Sequence, residues 1–288
     1  MRRPRDESKW LPTHHKNVDE FLSSIPSSGA HAISLGGQHL DLLIEDRRSP
    51  VTLVVFHSAL SPREETLPVF QGMGSAEFAG INLLALADPS LEMGDIDLAW
   101  FLGNRFIGSL RPRLLPVVNH VLKHLGSTRT ILMGGSGGGF AAILFALDYP
   151  GCLVLALNPR LDLTAPPFAK VDQYLRVCHM ATGPTSRERL RRTHVPDRLV
   201  DEIGSQGNFH LLIWQNLGDT EYMTHQLGPF LAEVHPDMSV HVRYGDYGEG
   251  HKPVPGPEVR EAIRLLAEHP DDLEAIRNAG FVHRQSVG

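Results

Sequence analysis

A serine at 136, an aspartate at 219 and a histidine at 251 follow one another along the chain, each in a turn-rich segment directly after an apolar run. Together these types can move one proton: a hydroxyl nucleophile, a base to take its proton, and an acid to orient the base. Ser136 lies in Thr130-Ile131-Leu132-Met133-Gly134-Gly135-Ser136-Gly137-Gly138-Gly139-Phe140, which reads as strand, tight turn and helix. The spacing Gly134-x-Ser136-x-Gly138 is that of a nucleophile elbow. The serine must sit in a strained turn with its side chain exposed, and the positions two residues away must lack bulk so that strand and helix pass closely. The helix that follows offers its first N–H, that of Gly137, to a developing oxyanion.

The acid and base appear in the order such a site uses. After the apolar run 209–214 comes Gln215-Asn216-Leu217-Gly218-Asp219-Thr220, which puts Asp219 at the C-terminal end of a strand. After 239–244 comes Gly245-Asp246-Tyr247-Gly248-Glu249-Gly250-His251, a glycine-rich loop able to carry His251 back over a sheet to Ser136. Asp246 competes with Asp219 for the acid's role, but its short separation from His251 suits a turn former; Asp162 is a weaker competitor. The second oxyanion donor is expected after the strand 51–56, in Phe56-His57-Ser58-Ala59-Leu60, from the N–H of Ser58 or Ala59. This segment resembles a His-Gly oxyanion loop with Ser58 where glycine would stand. His57 is read as a packed loop residue that orients its neighbours.

The same glycines admit two other readings. Gly137-x-Gly139-x-x-Ala142 formally matches a dinucleotide-binding loop between strand and helix. However, the next strand runs into Leu157-Asn158-Pro159-Arg160, with no acid placed to hold a ribose. A purely structural turn is the other alternative. A phosphate-binding P-loop needs a lysine where Phe140 stands.

The elements that must position these residues follow from periodicity. Apolar runs at 51–56, 81–87 and 152–157 read as buried strands, 129–133 as a strand running into the glycine cluster, and 31–35 with 39–45 as a hairpin across Gly36-Gly37-Gln38. Helical spacing recurs after Pro112, at 140–147, 226–234 and 258–268. Strands alternating with helices predict a mostly parallel sheet wrapped on both faces, an α/β fold. Residues 1–28 read as a loosely ordered arm with one helix near 18–22, and 29–288 as the domain. Within it, 164–208 carries Pro166-Pro167, Gly183-Pro184 and the basic run 187–192, and reads as an inserted helical cap or as two ordinary surface helices. Trp100 and Phe101 are expected in the core rather than in a substrate site.

The 288 residues carry 27 Lys+Arg against 33 Asp+Glu, a net charge of −6, which argues against a strongly basic nucleic-acid binder. Two cysteines outside any CxxC pair give no disulfide framework or cysteine-zinc motif, and neither a cofactor nor a metal is expected. Without an apolar run of about 20 residues or a signal-like segment, no transmembrane segment is expected and a cytoplasmic protein is. Oligomeric state is left open.

The chain resembles the α/β-hydrolase superfamily over 30–268. More narrowly, FHSAL, LPVF, ADPSL, AWFLG, GGSGGGFAA and NPRLDL resemble serine hydrolases found beside bacterial polysaccharide and glycoprotein export systems, some linked to O-acetylation. The resemblance implies a mostly parallel eight-stranded sheet with Ser136, Asp219 and His251 assembled at one edge. It implies hydrolysis of small-molecule or glycan acyl esters, or acyl transfer to a sugar hydroxyl. A non-catalytic hydrolase-like module in polysaccharide or glycoprotein assembly is the competing class.

Overall fold

Val51–Phe56 (VTLVVF) is buried along its whole length in the computed structural model of the protein, as a run with one side chain able to hydrogen-bond requires. The structure describes residues 3–204, 207–269 and 272–284, so the outer ends of the expected arm and domain, and 205–206 of the insertion, lie outside it. Among the described residues ten strands form one sheet: β1 (Thr13–His15), β2 (Gly29–Leu35), β3 (Gln38–Glu45), β4 (Val51–Phe56), β5 (Asn82–Ala87), β6 (Arg129–Gly135), β7 (Leu153–Leu157), β8 (His210–Asn216), β9 (Val240–Gly245) and β10 (Val282–His283). Their spatial order is β1-β2-β3-β5-β4-β6-β7-β8-β9-β10. The central eight, β2 to β9, are the mostly parallel sheet the resemblance implies, and β1 and β10 add a short strand at either edge. Within this sheet antiparallel pairing is confined to β2–β3, β3–β5 and β9–β10. The β2–β3 hairpin turns on Gly36 and Gly37, whose φ of 58° and 81° suit a two-residue primed turn.

Register decides where a site can form. Phe56 pairs with Gly134, Gly135 with Leu157, Leu157 with Trp214, and Asn216 with Gly245. The C-terminal ends of β4, β6, β7, β8 and β9 are therefore level, and their loops meet along one rim, where open parallel sheets bind ligands.

One sheet face is covered by α3 (Arg111–His124) and α4 (Gly137–Ala146), the other by α2 (Met73–Ala79) and α8 (Gly256–Glu268). Successive residues of β4 alternate between the two cores, Val54 and Phe56 on one side, Leu53 and Val55 on the other. Trp100 and Phe101 are buried in the first core. The insertion holds α5 (Ala169–His179), α6 (Ser186–Thr193) and α7 (Leu199–Ile203), and buries Tyr174, Leu175, Leu190 and Leu199 in that same core.

The expected looseness of the N-terminal arm is not what the structure has. β1 pairs with β2, and Arg5 holds both carboxylate oxygens of Asp41 at 2.6 Å and reaches Glu92 at 3.2 Å. The helix near 18–22 is α1 (Val18–Leu22), capped by Asn17, whose side chain accepts from the Glu20 N–H at 2.8 Å. Sequence periodicity cannot show such fastening, because β1 and Arg5 find their partners 18 to 87 residues away.

Candidate active site

Ser136 occupies the corner between β6 and α4 with φ 51° and ψ −112°, a conformation that β-carbon sterics disfavour. The surrounding hydrogen bonds over-determine it. Its N–H donates to the Leu157 carbonyl at 2.8 Å, and its carbonyl accepts from the N–H of Arg160 at 3.0 Å. The corner is possible because Gly134 and Gly138 touch: a methyl on Gly134 would lie 2.1 Å from the Gly138 carbonyl carbon. A methyl on Gly138 would lie 2.2 Å from the Phe56 carbonyl oxygen, and one on Gly139 2.9 Å from Pro159 Cβ. Packing of strand against helix thus uses the space these glycines leave, which the dinucleotide reading would reserve for a pyrophosphate.

At the end of β8, Asp219 is buried and accepts twice, Oδ1 from the Tyr222 N–H at 3.2 Å and Oδ2 from Nδ1–H of His251 at 2.5 Å. That bond leaves Nε2 of His251 as the acceptor nitrogen, the form a base needs. His251 and Ser136 line one cavity of about 300 Å³, together with Ser58, Ala59, Gln71 and Asn158. Of the two competing acids, Asp246 accepts from the Gly248 N–H at 3.2 Å as a turn former, and Asp162 is held by Thr164 and Arg198.

The loop after β4 separates the two expected donors. The Ser58 N–H is already used, donating to Oε1 of Gln71 at 3.1 Å. The N–H groups of Ala59 and Gly137 make no hydrogen bond among the described residues. His57 explains how the loop turns without a positive φ at Ser58. Its Nδ1–H donates to the Ser58 carbonyl at 2.8 Å, and its Nε2 accepts from the Asp88 N–H at 3.1 Å. In a planar trans peptide the N–H points opposite the C=O, so pinning the Ser58 carbonyl also sets the direction of the Ala59 N–H.

Burial pushes the His57 imidazole down from 6.5 to about 4. A ring neutral in the fold and free to protonate when unfolded contributes stability above pH 6.5 that is lost as pH falls toward 4, about 3 kcal/mol in all. Urea midpoints should therefore fall between pH 7 and pH 4.5, and fall less in His57→Asn. Parallel profiles for the two proteins would refute this.

No family model matches the chain. A stretch of 99 residues, 34% of the chain, is 27% identical to the erythronate-4-phosphate dehydrogenase of Coxiella burnetii and spans 25% of that protein's length. Among solved structures, the capsule O-acetyltransferase of Neisseria meningitidis serogroup A is similar over 86% of this chain and 98% of its own, with a TM-score of 0.58 and 16% identity. An S-formylglutathione hydrolase from Agrobacterium tumefaciens covers 88% and 98%, with a TM-score of 0.54 and 13% identity. Est1E from Butyrivibrio proteoclasticus covers 87% and 100%, with a TM-score of 0.52 and 16% identity. The chain has the α/β-hydrolase fold.

Within this α/β-hydrolase fold, sequence reading overlooked the residues that hold the His251 loop. The Asn216 amide donates to the carbonyls of Gly248 and Gly250 at 2.8 and 2.9 Å, and its oxygen accepts from the N–H groups of Gly218 and Tyr247. Asn158 donates to the Lys252 carbonyl at 2.8 Å and accepts from the Asn216 N–H at 2.6 Å. The Tyr222 ring covers His251, with centroids 4.2 Å apart. The signal was an asparagine at the end of each of two adjacent strands, β7 and β8, where a polar residue in a buried run needs partners. The cavity lining contains no residue of the 164–208 insertion, so the expected cap does not shape it.

Proposed function

We propose that this protein cleaves short-chain carboxylic esters through a Ser136–His251–Asp219 triad and an acyl-enzyme. The observation that carries this reading is the strained corner of Ser136, which shares a cavity with His251 while His251 Nδ1–H is bound to a buried carboxylate. In the reaction His251 Nε2 takes the Ser136 proton as Oγ attacks the acyl carbonyl, and Asp219 steadies the imidazolium. The oxyanion is received by the N–H groups of Gly137 and Ala59 rather than Ser58. His251 then returns the proton to the leaving alcohol, and water releases the acid.

The cavity, about 300 Å³, is at the small end of ligand sites, and Val55, Met133, Leu157 and Val254 give it an apolar floor. Both features favour an acetyl or similarly short group. The likeness to a capsule O-acetyltransferase supports a second reading in which a sugar hydroxyl replaces water as acceptor. A cytoplasmic location belongs to the same proposal, supported by the two buried free thiols, Cys152 and Cys178.

A fluorophosphonate should label the wild-type chain on the peptide holding Ser136. p-Nitrophenyl acetate should be cleaved at least roughly tenfold faster than the octanoate, as expected when extra methylenes do not fit. An added glycan that collects the acetyl group would favour transfer. Folded protein that neither labels nor cleaves esters would leave the non-catalytic module as the answer.

A further inference from the structure

Gln71 sits in the loop before α2 and is brought to the cavity by its neighbour. Gly72 has φ 93°, and a methyl there would lie 2.5 Å from Val55 Cγ2, so the chain runs flat against β4 at this point. Residue 71 therefore reaches the C-terminal end of β4, where the oxyanion loop begins. Its Oε1 accepts from both the N–H and the hydroxyl of Ser58, at 3.1 and 3.2 Å. An N–H can only donate, so this contact also fixes which end of the carboxamide faces Ser58.

We infer that Gln71 is the positioning residue for the oxyanion donor, doing for Ser58 what glycine's freedom does in a His-Gly loop. The inference rests on the proposed acyl-enzyme chemistry and deepens it. The peptide groups on both sides of Ser58 are held, the preceding N–H by Gln71 and the following C=O by His57. With both held, the plane of the Ser58–Ala59 peptide has one orientation, and its N–H remains for the substrate oxygen. Without Gln71 the Ser58 N–H becomes a second unpaired donor, and the loop can rotate to offer either. A donor misplaced by a fraction of an ångström loses much of its transition-state contribution while substrate binding is little changed.

The test uses the full chain and the variant Gln71→Leu, which keeps the reach but accepts nothing. Gln71→Leu should lower kcat for p-nitrophenyl acetate roughly 10- to 100-fold with KM within about twofold. It should weaken a trifluoromethyl ketone, whose adduct carries the oxyanion, by the same factor. Fluorophosphonate labelling should slow yet reach full stoichiometry, and amide exchange at Ser58 should quicken. Wild-type kcat and ketone affinity in a folded Gln71→Leu protein would overturn the inference alone. An inert wild type would overturn it together with the esterase reading. If Gln71→Leu does not fold, Gln71→Glu, which keeps an acceptor for Ser58, takes its place: Ser58 exchange should then stay slow, and fast exchange there would overturn the inference.

Discussion

Asp219→Asn is expected to lower kcat for p-nitrophenyl acetate by about 10⁴-fold while KM and the melting temperature stay close to wild type. The size of the effect follows from which atom faces which. Asp219 accepts the Tyr222 N–H on Oδ1 and the His251 Nδ1–H on Oδ2. An asparagine must keep its oxygen toward the Tyr222 N–H, since two donors cannot face each other. Its NH₂ then points at Nδ1, which has to become an acceptor, and the ring proton moves to Nε2. In that tautomer Nε2 carries the ring proton and can no longer take one from a hydroxyl. Ser136→Ala should cost more, on the order of 10⁶-fold, and the double variant about the same as Ser136→Ala alone, because the groups act as a unit. Asp246→Asn should remain near wild type, as its carboxylate only closes a turn on Gly248. If Asp219→Asn kept kcat within tenfold, Asp219 would not be orienting the base.

Ser136, Asp219 and His251 stand out in the sequence for a physical reason. Each follows a buried strand and lies in a turn whose residue types are dictated locally, and level strand ends then bring the turns together. The partners that set their exact geometry were not readable. Ser58 and Ala59 are equivalent as sequence, and only a glutamine 13 residues further on, reaching over Val55, distinguishes them. Asn216 and Asn158 look like ordinary strand-end residues until β7, β8 and the His251 loop are seen to be stitched through them. The insertion shows the same limit. Its prolines and basic run left a cap and two ordinary surface helices equally open, and its apolar face packs Tyr174, Leu175 and Leu199 into the core, none of them lining the cavity. Sequence pattern reports which faces are apolar, and it says little about which neighbour covers them.

The glycine cluster allows the elbow to be tested as geometry, independently of catalysis. Five of the six residues from 134 to 139 are glycine, and composition alone treats them alike. The structure ranks them. A methyl on Gly135 would meet only Ser58 Cβ at 3.7 Å and the Leu157 oxygen at 3.9 Å, ordinary contacts. One on Gly137 would meet the end of the Leu98 side chain at 2.4 Å, which can move aside. One on Gly138 would press on the Phe56 and His57 carbonyl oxygens at 2.2 and 2.7 Å, backbone atoms at the end of β4 and just past it that cannot. Gly138→Ala should therefore destabilise the fold by about 3 kcal/mol or more, as overpacking against fixed atoms does. Gly135→Ala should change stability by less than about 1 kcal/mol, since the methyl is accommodated and alanine is no worse than glycine in a strand. Thermal melting would show this as a drop on the order of 5 °C or more for Gly138→Ala and little movement for Gly135→Ala. Activity should follow the same order, because helix α4 pushed off β4 carries the Gly137 N–H away from Ser136 and Ala59. Equal melting temperatures for the two alanine variants would mean that α4 and β4 are not in the contact that holds Ser136 at its corner.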